Sequence, residues 1–211
     1  MDLFDEPGQR IPLGPGAVLL PGFALPWETA VKDALEDITA SSPFRHMQTS
    51  RGLELSVAMT SCGQRGWITD RRGYRYVEID PETGRPWPAM PESWRELARA
   101  AAAAGGYENF EPDACLVNAY VPGARMGLHQ DRDEADLRQP VVSISFGLEA
   151  KFLFGGLARS DRAARLPLRH GDVVVWGGPS RLAFHGVAPL KDGAPTRFGQ
   201  RRINLTFRRA K

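Results

Sequence analysis

The sequence predicts an α+β protein whose core is a double-stranded β-helix, or jelly roll, with helices from the N-terminal part packed on one side. Three observations carry this prediction. Two amphipathic helices are legible before residue 105, short strand-like segments separated by Gly/Pro turns follow from residue 113, and a Gly-, Arg- and aromatic-rich stretch lies between them. Helices first and strands afterwards argue for α+β, and many closely spaced short strands argue for an antiparallel sandwich or barrel.

The first helix is read in "PWETAVKDALEDI", where Trp27, Val31, Ala34, Leu35 and Ile38 recur at helical spacing behind Pro26. The second is read in "PESWRELARAAAA" after Pro91, with Trp94, Leu97, Ala98 and Ala101 on one face and Gly105 as its stop. The strand candidates are "ACLVNAY", "MGLHQD", "VVSISFG", "KFLFGG", "DVVVWGG", "RLAFHGV" and "RINLTFR". Residues 44–90 read as hairpins with an exposed role, a lid over a core formed by residues 113–211, and the chain 1–211 reads as a single domain. At 211 residues it is long enough to bury a substantial core.

Composition narrows the class further. With 42% hydrophobic and 25% charged residues the chain is that of an ordinary soluble globular protein. There is no apolar run of membrane-spanning length, and "MDLFDEPGQR" lacks the basic and apolar regions of a leader, so a cytoplasmic protein with no membrane partner is expected. Cys62 and Cys115 form no spaced framework and are expected as reduced thiols without an assigned role. The net charge of +2 permits nucleic-acid binding without arguing for it. Nothing demands more than a monomer.

The chemistry is concentrated in "LHQDRDE" and two later segments. In an extended chain residues i and i+2 share a face, so His129 and Asp131 can grip one object together. The pair His170/Asp172 in "RHGD" has the same spacing, and spacing alone does not choose between them. "HGD" before an apolar strand reads better as a turn with a helper carboxylate, and His46 as a surface or loop histidine. The choice rests on the order of two downstream segments, His185 in "RLAFHGV" and then the arginine strand "RINLTFR". Two imidazoles and a carboxylate match the facial triad of non-haem Fe(II) oxygenases, which leaves positions for an α-keto acid and dioxygen. In the last strand Ile203, Leu205 and Phe207 alternate with Arg202, Asn204, Thr206 and Arg208. The guanidinium forks suit the far carboxylate of such a keto acid, and Asn118 and Tyr120 can complete the cradle.

The combination "NAY…LHQD…DVVVWGG…FHGV…RINLTFR" resembles the AlkB family of Fe(II)- and 2-oxoglutarate-dependent dioxygenases, which repair alkylated nucleic acid. "SVAMTSCGQRGW", "IDPETGRPWPAMP" and "PDACLVN" extend the resemblance over nearly the whole chain. It implies Fe(II) on His129, Asp131 and His185, with 2-oxoglutarate and dioxygen as co-substrates. It implies that Arg208 pairs with the distal carboxylate of 2-oxoglutarate, helped by Tyr120, while Arg202, Asn118 and Asn204 surround the metal-bound end. It also implies oxidative demethylation of bases such as 1-methyladenine and 3-methylcytosine, with formaldehyde release, in single- or double-stranded DNA and by extension RNA. For a cationic base, Trp67 is expected to stack and Asp133 to read the exocyclic amine. Tyr74 and Tyr76 are expected on phosphate or sugar, and Arg159 near the base. A jelly-roll oxygenase of a protein or small molecule shares the triad and arginines but has no use for Trp67 and Asp133. A nucleic-acid-binding module with a vestigial metal site would turn over no 2-oxoglutarate. A zinc hydrolase would leave the inward arginines unexplained.

Overall fold

The computed structural model describes residues 9–211. The opening residues 1–8, which include most of the segment read as lacking a leader, lie outside the described part. After a short hairpin of β1 (Ile11–Gly14) and β2 (Ala17–Leu20) comes α1 (Glu28–Ser41). A single 3-10 turn at Leu25–Trp27 takes up Pro26, so the α-helix begins two residues later than the Pro suggests. Strands β3 (Arg45–Gln48), β4 (Glu54–Gly63), β5 (Gly66–Asp70) and β6 (Gly73–Val77) precede α2 (Glu92–Ala104), which ends at Gly105 as expected. Then come β7 (Ala114–Tyr120), β8 (Met126–His129), β9 (Val141–Gly147), β10 (Ala150–Phe154), β11 (Ala164–Leu168), β12 (Val173–Trp176), β13 (His185–Val187) and β14 (Arg202–Arg208).

Eight strands form the major sheet in the order β1-β2-β12-β9-β14-β7-β4-β3, and four form the minor sheet in the order β11-β10-β13-β8. Every pairing is antiparallel. The alternation in β14 decides the layering. Its Ile203, Leu205 and Phe207 pack with Trp94, Leu97 and Val117 under the helices. Trp94 meets Phe207 edge-on at 6.3 Å. Its Arg202, Asn204, Thr206 and Arg208 look the other way, into the cavity between the sheets. The helices therefore cover one face of the major sheet and the minor sheet covers the other, as the sequence predicts for a jelly roll with helices on one side.

Two boundaries are corrected. The segment 44–90 is not a lid throughout: β3 and β4 are strands of the major sheet, with β4 registered against β7 from Ala58↔Ala119 to Gly63↔Ala114. Val57, Met59 and Cys62 are fully buried along with Thr60 and Ser61, and those small polar residues obscured the core pattern. Only β5 and β6 stand apart as a two-stranded hairpin. Equally, the sandwich is not confined to 113–211, because β1–β4 supply half of the major sheet. The loop 78–90 is pinned by Asp80, which accepts from Ser42 Oγ at 2.6 Å and is ion-paired with Arg45. Cys62 and Cys115 face each other across β4 and β7 as buried free thiols.

Candidate active site

The cavity between the sheets is where the polar face of β14 meets β8 and β13. β13 registers His185 against His129 of β8, and the two rings lie 4.3 Å apart. Gly186 makes this closeness possible: a Cβ there would lie 2.7 Å from the carbonyl oxygen of Met126 and 3.0 Å from that of Gly127. Each imidazole is oriented by its Nδ1, 2.9 Å from the Gly127 carbonyl for His129 and 3.0 Å from the Ala183 carbonyl for His185. With Nδ1–H donated to a carbonyl, Nε2 carries the lone pair. Both Nε2 atoms lie 3.8 Å from carboxylate oxygens of Asp131. The three ligand atoms fall within 4.8 Å of one another, a donor set and spacing that fit one divalent ion with open positions.

The electrostatics suit a metal ligand set. Burial, with His129 next to it, lowers the His185 imidazole to about 4, so it is neutral at pH 7. Burial pushes the Asp131 carboxyl up, but Arg208, and then the two histidines, hold it well below the usual carboxylate range. Arg208 donates from Nε at 2.9 Å and Nη2 at 2.8 Å to Asp131 Oδ2. At the other end of β14, six residues away, Arg202 lies 5.0 Å over the Tyr120 ring and donates Nη2 to Ser145 Oγ at 2.9 Å. Its Nε and Nη1 are buried without partners. Burial lowers its pKa, and burial raises the Tyr120 hydroxyl. A fully buried guanidinium with two idle nitrogens fits an anionic partner, so the residues present fit a small dicarboxylate as well as a metal.

A family model described as the 2OG-Fe(II) oxygenase superfamily matches residues 16–208. The chain is 55% identical over 213 residues to the alpha-ketoglutarate-dependent dioxygenase AlkB of Escherichia coli, covering 100% of this chain and 98% of that one. It is 54% identical over 211 residues to the protein of the same description from Salmonella typhimurium, with the same coverage. The chain belongs to the AlkB family. The solved structure of OsALKBH1 superimposes with a TM-score of 0.82 at 31% identity, over 95% of this chain and 100% of that one. Fe(II), 2-oxoglutarate and dioxygen are therefore the cofactor and co-substrates, and the jelly-roll expectation holds.

The expectations for individual AlkB-family residues are met unevenly. His129, Asp131 and His185 come together, while His170 does not join them. His170 Nδ1 accepts from Gly147 N–H at 3.0 Å, and Asp172 accepts from Gly22 and Arg169 N–H as a turn helper. His46, read as a surface histidine, is exposed, on β3. The resemblance implied Arg208 on the distal carboxylate and Arg202 at the metal-bound end; here Arg208 is held by Asp131, while Arg202 lies beside Tyr120 with its Nε and Nη1 without partners. The reason is strand direction, since β14 and β7 run antiparallel with Arg202 opposite Tyr120 and Arg208 opposite Ala114. Asn118 donates to Asn204 Oδ1 at 3.2 Å, and Asn204 donates to Ser143 Oγ and the Ile144 carbonyl, so these amides are braced by the sheet. The i, i+2 argument for the metal pair also needs correcting. β8 ends at His129, and Asp131 reaches the site from irregular chain.

Two residues beyond Asp131, Asp133 accepts the indole N–H of the half-buried Trp67 at 2.9 Å, and Trp67 stacks on Tyr74 at 5.5 Å. Arg159 lies 5.3 Å over the Phe184 ring, next to His185 in sequence. Tyr74 is exposed, but Tyr76 is not available for phosphate: its hydroxyl donates inward to Glu134 Oε1 at 2.6 Å. Sequence reasoning missed Glu134 and Arg181, both almost fully buried. Glu134 is the last letter of "LHQDRDE", yet in so charged a stretch nothing marks it as the inward one. Arg181 carried no signal at all. Trp176 lines the cavity with its ring 4.8 Å from His185.

Proposed function

We propose that the protein removes methyl groups from ring nitrogens of nucleic-acid bases such as 1-methyladenine and 3-methylcytosine, with 2-oxoglutarate and dioxygen consumed and formaldehyde released. The observation that carries this reading is one cavity lined by His129, His185 and Arg202, with Asp131 completing the donor set and, two residues further on, Asp133 holding Trp67 in its stack with Tyr74.

His129, Asp131 and His185 would hold Fe(II), with His185 neutral and Asp131 ionised. Bound there with 2-oxoglutarate and dioxygen, the metal supplies hydroxylation of the N-methyl carbon, coupled to decarboxylation of 2-oxoglutarate to succinate. Arg202, with Tyr120 beside it, would take the distal carboxylate as a charge-assisted pair. Arg208 keeps Asp131 charged and aimed, with Asn118 and Asn204 shaping the wall near the other end. Phe152, Trp176 and Met126 line the cavity and keep water from the reacting carbon. The faces of Trp67 and Tyr74 offer stacking to a planar cationic base, and Asp133 offers its carboxylate to an exocyclic amine. Once hydroxylated, the methyl group leaves as formaldehyde when the N–C bond breaks, and the base keeps the electron pair. Access requires a flipped or single-stranded base, and Arg159 and the exposed Tyr74 of β6 would contact its backbone. The protein acts as a cytoplasmic monomer on DNA and, by the same contacts, on RNA.

The test is anaerobic loading with Fe(II), 2-oxoglutarate and a single-stranded oligonucleotide carrying 1-methyladenine, followed by admission of air. Loss of the methyl group with matching succinate and formaldehyde, absent in Asp131→Ala, is expected. Succinate without demethylation would move the substrate to another class.

A further inference from the structure

We propose that Arg181 is a positioning residue for the metal centre, and that through Glu134 it links the hairpin β5–β6 to the grip on Asp131. This role rests on the demethylase reading of the site and deepens it. Asp131 belongs to no strand, so something other than the sheet must fix it. Arg181 does this from the segment that leads into His185. Its Nη1 donates to the Asp131 carbonyl at 2.6 Å, its Nε to the Gln139 carbonyl at 2.8 Å, and its Nη2 to Glu134 Oε2 at 2.9 Å. Gln130 adds a second stitch between the same segments, donating to the Leu182 carbonyl at 2.7 Å. One planar fork thus spans the start, middle and end of the irregular stretch 131–139. A lysine, with a single ammonium on a flexible stem, cannot hold three acceptors in that arrangement.

Glu134 is the junction. Besides Arg181 it accepts the Tyr76 hydroxyl from β6 and lies 3.4 Å from Arg208 Nε, while Arg208 holds the Asp131 carboxylate. Two cations and two carboxylates, all nearly devoid of solvent, balance one another. Asp131 is gripped at its carbonyl by Arg181 and at its side chain by Arg208, and both arginines share Glu134. The hairpin reaches this cluster through Tyr76, while Trp67 of the same hairpin reaches Asp133, two residues from the metal ligand. A base seated against Trp67 therefore bears on the hairpin whose Tyr76 completes the cluster. Such a link favours consumption of 2-oxoglutarate with a base in place over consumption without one.

The test compares wild type, Arg181→Lys, Tyr76→Phe and the charge-neutral pair Arg181→Met/Glu134→Gln, which leaves no isolated buried charge if the single variant fails to fold. Three quantities are read: Co(II) affinity from its visible absorption with 2-oxoglutarate present, melting of the metal-free protein, and succinate formed per methyl group removed. Loss of an outer partner of a metal ligand lowers metal affinity about 10- to 100-fold, and that loss is expected in Arg181→Lys and in the double variant, with a succinate ratio above wild type. Tyr76→Phe is expected to raise the ratio. Wild-type Co(II) affinity and ratio in either Arg181 variant, whatever its melting temperature, would reduce Arg181 to scaffold and overturn the proposal. An unchanged ratio in Tyr76→Phe would overturn the link to the hairpin. If wild type itself bound no Co(II), the demethylase reading would fail instead, so the two failures are distinguishable.

Discussion

Replacing Arg202 and Arg208 in turn by methionine separates two roles that the sequence makes look equivalent. Arg202 has two buried nitrogens, Nε and Nη1, without partners, a ring contact to Tyr120 and one hydrogen bond to Ser145. Each idle nitrogen costs about 1–3 kcal/mol, while a desolvated cation–π contact returns about 2 kcal/mol. These terms nearly offset, so Arg202→Met in the metal- and co-substrate-free protein should melt within a few degrees of wild type. Its loss should appear in co-substrate binding. Two hydrogen bonds to a carboxylate at about 1.5–3 kcal/mol each correspond to a loss of roughly two to four orders of magnitude in 2-oxoglutarate affinity. Arg208→Met does the reverse to the fold. It strands the buried Asp131 and brings Glu134 out of balance, a defect of about 3–5 kcal/mol, or roughly 6–20 °C in melting temperature at this chain length. The assay is differential scanning calorimetry of both metal-free variants, with 2-oxoglutarate titrated anaerobically against the Mn(II)-loaded proteins. Retained 2-oxoglutarate affinity in Arg202→Met, with an unperturbed fold in Arg208→Met, would refute the assignment of the two ends.

Three further outcomes are expected. His185 has a folded pKa depressed to about 4 against 6.5 when unfolded, so its contribution is complete above pH 6.5 and is lost as pH falls toward 4. Denaturant titration should show wild type losing about 3 kcal/mol more than His185→Gln across that window; equal losses would contradict a buried neutral imidazole. Trp67→Ala removes a stacking face worth about 1–3 kcal/mol per base, so KM for a 1-methyladenine oligonucleotide should rise about 5- to 150-fold while 2-oxoglutarate affinity stays put. Asp80→Ala leaves the buried Arg45 only the exposed Glu82 carboxylate, 3.5 Å away, and should lower the melting temperature by roughly 6–20 °C with metal affinity unchanged, which would separate scaffold from site.

Much of the molecule is legible in local pattern. The period of 3.6 gives α1 and α2, the period of 2 in β14 gives an apolar and a charged face, and the turn residues bracket β7, β9 and β12. These are properties of neighbours along the chain, whereas the donors His129, Asp131 and His185 are legible from residue type and from the order of their segments. The sequence therefore determined by itself the layer of helices, the jelly-roll class and the identity of the three metal donors. Tertiary structure decided everything that depends on which strands meet. The placement of β4 in the major sheet comes from pairing with β7 across more than fifty residues, and β3 joins by pairing with β4. Which arginine lies beside Tyr120 is set by the antiparallel register of β14 on β7. The inward turn of Glu134 and the reach of Arg181 to three acceptors arise in irregular chain, where no period relates position to direction. Side-chain direction is readable only where the backbone repeats, and the centre of this site is held where it does not.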